Sequence, residues 1–482
     1  MKWLDYLTAF WPHIAAAFGL LAATLASVHA LLNKRDHRAA ALWLGFIWLM
    51  PVAGPVLYIA FGVNRIRRHA RSLRVGRGPS DAPLRLVPHE IADAEGIEAR
   101  HMRMLAQVVD RVAGQPLQGG NRIRPLINGD EAFPAMLAAI DSARRSVSLE
   151  TYIFDNDASG DQFVSALKRA VDRGVQVRVL VDDAGARYSF PSILGKLRRA
   201  RVPTARFLPT LAPWRLTTMN LHNHRKLLVA DGTVGFTGGM NIRHGNVLAA
   251  KPRKPVQDLH FKVEGPVVAQ MQEAFANDWE FCTNEILTGE AWFPALSDCG
   301  KSIARVITDG PDADYDKARW TLLAALSCAQ TSVQILTPYF LPDSSLITAL
   351  NVAALRGVQV DIILPAENNL PFVHWASRGM WWQVLERGCR LWLTPPPFDH
   401  SKLMIVDGHW VLLGSANWDP RSLRLNFELN VECYGREFAQ EMDMIVQSKL
   451  QIAKPVTLAE VDGRSFPVKL RDSVARLFTP YL

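Results

Sequence analysis

Charged side chains are missing from two long stretches near the N-terminus: no Asp, Glu, Lys or Arg occurs in the 28 residues 6–33 or in the 26 residues 39–64. A helix needs about 20 apolar residues to cross the hydrocarbon core, so this absence excludes a wholly water-borne chain and predicts two spans, about residues 8–32 and 39–63. Only Lys2 precedes the first run as a basic head, and a second apolar run follows within five residues, which argues for an anchor over a cleaved leader. Pro51, Gly54 and Pro55 interrupt the second run, which is read either as a kinked span or as a re-entrant hairpin. Cysteine is scarce. Its five positions (Cys282, Cys299, Cys328, Cys389, Cys433) are odd in number, scattered and without a CxxC, which excludes a disulfide framework and a zinc knuckle and points to reduced thiols. Low-complexity tracts are missing too, and 49% hydrophobic against 21% charged residues excludes an extensively disordered chain.

The charge that is present is unevenly placed. The net charge of +8 comes from 54 basic and 46 acidic residues, and residues 1–80 alone carry ten basic residues against Asp5 and Asp36. Residues 81–482 are therefore balanced. A neutral body behind a basic N-terminal segment fits an anionic membrane surface better than a nucleic-acid-binding face. Lys34, Arg35 and Arg38 lie between the two runs, whereas Lys2 and six arginines from Arg65 to Arg77 flank them, so the positive-inside bias puts both termini in the cytoplasm.

Beyond the anchor one pattern occurs twice. Residues 146–154 read as a buried strand, 161–173 as a helix with Phe163, Leu167 and Val171 on one face, and 175–181 as a returning strand. Residues 332–340, 345–356 and 358–364 repeat the series, and both helices run into Arg-Gly-Val-Gln-Val, at Arg173 and again 183 residues later at Arg356. Strand–helix–strand units of this length favour parallel pairing with a right-handed crossover, and the spacing is that of a duplicated domain. The expected organisation is an α/β fold of two half-domains, 121–300 and 301–482. They follow a transmembrane helix pair in 1–65 and a basic juxtamembrane linker and helix in 66–120.

Each repeat carries the same motif, HxKxxxxDG. The first is His224-Arg-Lys226-Leu-Leu-Val-Ala-Asp231-Gly and the second is His400-Ser-Lys402-Leu-Met-Ile-Val-Asp407-Gly. On an extended chain, residues two apart share a face, so each imidazole stands beside an ammonium. That pair suits a phosphate: the Lys neutralises non-bridging oxygens, and the His attacks phosphorus or carries a proton near neutral pH. His222-Asn-His224 imitates a zinc-binding HxH pair, but no second ligand cluster accompanies it, and no metal site is expected.

With both motifs in place the chain resembles the phospholipase D superfamily, whose signature is this duplicated HxKxxxxD, and more closely the bacterial cardiolipin synthases. Thr337-Pro-Tyr-Phe-Leu-Pro-Asp343, Phe398-Asp-His-Ser-Lys-Leu-Met404 and the run from Gly414-Ser-Ala-Asn417 to Asn430 are similar to that family's second half. His29-Ala-Leu-Leu-Asn-Lys-Arg-Asp36 and Phe61-Gly-Val-Asn-Arg65 are similar to its membrane anchor.

The resemblance implies two phospholipase D-like α/β half-domains forming one shared active site. It also implies a two-step phosphatidyl transfer without metal or cofactor. One His attacks the phosphodiester of phosphatidylglycerol; the other protonates the departing glycerol and then deprotonates the acceptor alcohol. By analogy His224 is the nucleophile and His400 the acid/base, in nearly symmetrical roles. Lys226, Asp231, Lys402 and Asp407 belong to the motifs, with the two aspartates expected to tie loops by salt bridges. Asp258, 34 residues after His224, and Glu428, 28 after His400, resemble the superfamily's His-orienting carboxylates. Asn241, Ser415 and Asn417 are candidate donors to phosphate oxygens, and Gly239 stands where the superfamily usually has Ser.

The partners implied are phospholipid, phosphatidylglycerol first, and the bilayer, with no nucleic acid. The implied location is a bacterial inner membrane, multi-pass, with the body facing the cytoplasm. Hydrolysis to phosphatidic acid, phosphatidylethanolamine as one of the two substrates, and a nucleic-acid phosphodiesterase are the competing readings. Residues 372–385, with Trp375, Trp381 and Trp382, are read either as a packed helix or as a segment that dips into the bilayer.

Overall fold

The computed structural model describes residues 2–34, 37–59, 97, 99–209, 221–311 and 314–479. The chain divides into two compact units, Met1–Leu73 and Arg74–Leu482.

In the first unit a helix runs over Lys2–Asn33, and His13–Asn33 is long and apolar enough to cross a membrane. Its small residues Ala23, Ala26 and Ala30 are buried against Ile47 and Tyr58, while Phe18, Leu21, Leu25 and Leu32 face outward. Alanines at this spacing let a second helix approach closely. The second apolar stretch, expected over 39–63 as a kinked span or a re-entrant hairpin, is broken rather than continuous. A helix covers His37–Leu49, residues 50–52 turn, and a short helix covers Ala53–Leu57. Pro51 disfavours helical backbone at Met50 and supplies no N–H, which ends the first segment. Its 13 residues reach about 20 Å, short of the roughly 30 Å hydrocarbon thickness. Residues 60–63, the arginine cluster Arg65–Arg77 and the linker through residue 96 lie outside the described residues.

The first helix described in the second unit is Arg100–Ala113. Its first half carries β1 Gln118–Ile127, β2 Ser146–Thr151, β3 Gln176–Asp182, β4 Thr204–Phe207, β5 Leu227–Ala230, β6 Val234–Gly238, β7 Val256–Gln257 and β8 Leu259–Glu264. The second half carries β9 Ser302–Asp309, β10 Ser332–Leu336, β11 Gln359–Pro365, β12 Arg390–Thr394, β13 Phe398–Asp399, β14 Leu403–Val406, β15 Trp410–Gly414, β16 Glu428–Tyr434 and β17 Lys454–Val456. Fifteen of these form one sheet among the described residues. The order β4-β3-β2-β5-β6-β8-β1 meets its repeat, β9-β16-β15-β14-β10-β11-β12, and β17 closes the far edge. β1 and β9 pair antiparallel at the seam.

The duplicated strand–helix–strand units are where the sequence pattern put them, with parallel pairing of β2 with β3 and β10 with β11. Asp157 and Asp343 cap the intervening helices, Ala158–Asp172 and Ser344–Leu355, by accepting from backbone N–H groups of the first turn. The repeated Arg-Gly has a repeated task. Arg173 and Arg356 each donate to carbonyls at the end of the preceding helix, and Gly174 and Gly357 take the positive φ (84° and 89°) that ends their own helix. One core cluster runs through both halves, joining Phe261 and Phe275 to Val306, Leu413 and Met442, so the halves fold as one body.

Candidate active site

β5 and β14 are buried along their whole length, and each begins one residue after a motif lysine. His224 and Lys226, like His400 and Lys402, therefore lie on the extended chain leading into the middle of the sheet. Backbone pairing across the halves brings these two segments together. Asn223 bridges Phe427, and the His224 N–H donates to the Phe427 carbonyl at 2.9 Å. In the same way β13 pairs with β7, and the His400 N–H donates to the Gln257 carbonyl at 2.8 Å. Each histidine thus runs beside the residue that precedes the other half's carboxylate.

The side chains follow. His224 Nδ1 lies 3.0 Å from Glu428 and His400 Nδ1 lies 2.9 Å from Asp258. Both carboxylates expected from the sequence are present, but each orients the histidine of the opposite half. An ionised carboxylate at Nδ1 holds the ring proton there and leaves the Nε2 lone pair for chemistry, as Glu428 does for His224. Lys226 Nζ donates to the His224 carbonyl at 2.6 Å, and Lys402 Nζ lies 3.0 Å from His400 Nδ1.

Burial sets the protonation states. It pushes His224 down to about 4, with Lys226 and Lys402 adding to the effect against Glu428. Burial, then the cations Lys402 and Lys226, holds His400 well below its ordinary value. Both imidazoles are neutral at pH 7, as a nucleophile or base must be. Burial also lowers Lys226 to about 7 and Lys402 to about 8. The carboxylates differ. Burial pushes Asp258 up to about 8, whereas at Glu428 it is outweighed by His224, Lys226 and Ser415, so Glu428 is held below the usual range.

Asp231 and Asp407 stand apart from this chemistry, at the opposite ends of β5 and β14 from the histidines. They tie loops, but through backbone amides where salt bridges were expected. Asp231 accepts from the N–H groups of Arg144, Arg145 and Ser146, and Asp407 from those of Gln330, Thr331 and Ser332. Asp407 also meets His101 Nε2 at 2.8 Å.

The expected phosphate donors are placed differently again. Ser415 is fully buried; its hydroxyl accepts from the Leu429 N–H at 3.0 Å and donates to the Leu429 carbonyl at 3.2 Å, and it helps to hold Glu428 low. Asn417 Nδ2 donates to Ser422 Oγ at 3.1 Å. Asn241 Oδ1 accepts from the Ile153 N–H at 3.0 Å, which leaves its amide NH2 as the donor aimed elsewhere. The glycine at 239 has a steric cause: a Cβ there would stand 2.2 Å from Asp258 Oδ1. The first half combines Gly with the shorter Asp, and the second combines Ser with the longer Glu.

Tyr152 and Arg225 are site residues that motif spacing did not single out. Tyr152 packs edge-on against His224 with ring centroids 5.1 Å apart, and Lys226 Nζ lies 5.8 Å from its ring. Tyr339 stands 6.1 Å from the His400 ring. Arg225, inside the motif, is buried; it pairs with Asp278 at 2.6 Å and its Nε donates to the Glu428 carbonyl at 3.1 Å. Their signal was an aromatic at the end of the first strand of each repeat, and a cation inside a run that the strand pattern buries. His222 Nδ1 lies 3.5 Å from Asp182, and among the described residues no group of three or more His, Cys, Asp or Glu converges as a metal site would.

Residues 136–279 and 322–450, more than half of the chain, match the family model described as cardiolipin synthase, phospholipase D-like domain. The chain belongs to the cardiolipin synthase family. Residues 21–62 match a second model, the phospholipase D-nuclease N-terminal segment. The cardiolipin synthase of Geobacillus kaustophilus is 30% identical over 460 residues, 95% of this chain and 91% of that one. That of Listeria monocytogenes serotype 4a is 29% identical over 467 residues, 95% and 96% of the two chains. A solved phosphatidylserine synthase from Haemophilus influenzae, 15% identical, superposes with a TM-score of 0.62 over 78% of this chain and all of that one, a likeness of fold. The family expected from the duplicated motif is the family found. Cardiolipin synthases of the phospholipase D superfamily are phosphatidyltransferases, and with the apolar N-terminal helix this family membership implies phospholipid substrate and association with a membrane.

Proposed function

We propose that this chain joins two phosphatidylglycerol molecules into cardiolipin, releasing glycerol, through a phosphatidyl-histidine. The observation that carries the reading is the pair of neutral imidazoles, each with Nδ1 against a buried carboxylate and each beside a lysine. His224 Nε2 attacks phosphorus and the bond to the glycerol oxygen breaks. His400 gives its Nε2 proton to that oxygen while its Nδ1 takes the proton held by Asp258, then reverses both transfers as it takes the proton of the primary hydroxyl of the second phosphatidylglycerol, which displaces His224. The electrostatics favour this order. Glu428, held ionised, balances the positive charge His224 gains as an adduct, while Asp258, raised to about 8, keeps a proton in reach of His400 near neutral pH. Lys226 and Lys402 neutralise the phosphoryl oxygens. The same reading places the chain in a bacterial inner membrane, with His37–Leu49 and Ala53–Leu57 together, as a broken helix, making a second crossing, and with its body in the cytoplasm.

Purified protein incubated with phosphatidylglycerol alone is expected to yield cardiolipin and glycerol in equal amounts by mass spectrometry. Phosphatidic acid as the main product would make the chain a hydrolase, and dependence on added phosphatidylethanolamine would reassign one substrate.

The pH dependence has a sign. Neutral His224 is lost as pH falls through about 4, and the cationic lysines are lost as pH rises through about 7 and about 8. kcat/KM on vesicles is therefore expected to be bell-shaped, with a shallow alkaline limb starting near 7. A profile still rising at pH 9 would contradict the need for charged lysines.

A further inference from the structure

The second half carries a helix pair that the transfer chemistry does not use. Pro371–Arg378 and Phe466–Leu477 pack side by side, with Phe372 edge-on to Phe478 at 5.6 Å and Arg471 over Trp375 at 4.6 Å. Asp472, 1% exposed, accepts from Arg464 and Arg471 at 2.7 Å. The pair is thus internally satisfied and fixed to the body. Trp381 is buried as well, so the packed-helix reading holds there, while Trp382 is 41% exposed.

The outer face is another matter. Phe466, Leu470, Val474 and Leu477 are 75%, 53%, 45% and 73% exposed, and their spacing of four, four and three places them on one stripe. Phe478 continues the stripe, and Phe372 of the neighbouring helix is 38% exposed. Residues 371–378 and 464–479 hold five basic side chains and one acidic one, the buried Asp472. Arg378, Arg464 and Arg471 face Asp472, so Lys469 and Arg476 are the cations beside the stripe, and an apolar stripe with basic flanks is complementary to an anionic bilayer surface.

The pair is also joined to the catalytic cleft. Asn368, just ahead of it, donates to the Pro338 carbonyl at 2.9 Å, and Tyr339 OH donates to Asn369 Oδ1 at 2.7 Å. Tyr339 is the ring that stands against His400. We propose that the stripe 466–478 lies in the headgroup–acyl boundary of an anionic leaflet and opens the His400 side of the cleft onto it. This rests on the proposed function only in taking a membrane lipid as substrate.

The test uses the full chain in phosphatidylethanolamine–phosphatidylglycerol vesicles, with p-benzoylphenylalanine replacing Leu470, or Met444 as a control exposed apolar site on another helix. Illumination is expected to give lipid adducts at 470 well above those at 444. Adducts no higher than the control, or cross-links to a second copy instead, would overturn the proposal. This reading needs no turnover, so it survives failure of the proposed reaction. In a second arm, Leu470→Asp with Val474→Asp is expected to slow turnover of vesicle phosphatidylglycerol about tenfold and leave turnover of monomeric short-chain phosphatidylglycerol unchanged. Met444→Asp is expected to change neither. An equal fall on both substrates, or no fall on vesicles, would overturn the membrane role.

Discussion

His224→Ala is expected to lower phosphatidyl transfer by about 10⁴-fold or more and to abolish formation of a lipid-bearing protein, because no other group in the cleft replaces the Nε2 nucleophile. His400→Ala is expected to be as poor in turnover but different in kind. With Glu428 and His224 intact, slow attack still occurs, and with no base to activate the second alcohol the phosphatidyl-protein persists. Mass spectrometry of intact protein after a single turnover separates the two: adduct in His400→Ala and none in His224→Ala. The reverse pattern would exchange the roles. Equal loss without adduct in either would count against a covalent step. Both rings are nearly buried and face their partners without bracing the sheet, so retained fold and membrane recovery are expected in both variants.

How far this was legible in the sequence depends on whether the information was local. Arg173 and Arg356, with the glycines that follow, mark a helix end and a strand start within a few residues, and both repeats were found where that signature put them. Hydropathy over 39–63 counts apolar residues and is blind to the backbone; it was Pro51, Gly54 and Pro55 that marked an interruption there, and the helix breaks at residues 50–52. Asp231 and Asp407 travel with the motif histidines in sequence, but a short strand separates them in space, and what the motif did not reveal is that backbone amides take the place of the expected salt bridges. Ser415 has the right chemistry for a phosphate donor; its backbone position turns it toward β16. Asp258 and Glu428 were identifiable as carboxylates, but the crossing was not. It depends on pairings 204 and 142 residues apart, set by the meeting of β1 and β9 and by the Asn223 and β7–β13 bridges.

That crossing makes the second large expectation specific. In Glu428→Gln an amide faces His224 Nδ1 and can donate to it, favouring the tautomer with the proton on Nε2, where the nucleophilic lone pair is needed. A comparable exchange in a serine protease triad costs about 10⁴ in kcat, and a fall of about 10²–10⁴ is expected here. The residue lies in the second half, yet the damage falls on the first-half histidine, so Glu428→Gln should accumulate no phosphatidyl-protein, like His224→Ala. Asp258→Asn, in the first half, should act on His400 and accumulate it, like His400→Ala. Pairing within each half predicts the opposite assignment, so the two readings separate on one mass measurement of intact protein. The alkaline limb gives an independent check. Removing the Glu428 charge withdraws a group that raises Lys226 and Lys402, so the limb should move to lower pH in Glu428→Gln even at reduced rate. A variant whose limb stays in place while its rate falls would locate Glu428 at the imidazole alone, detached from the lysines.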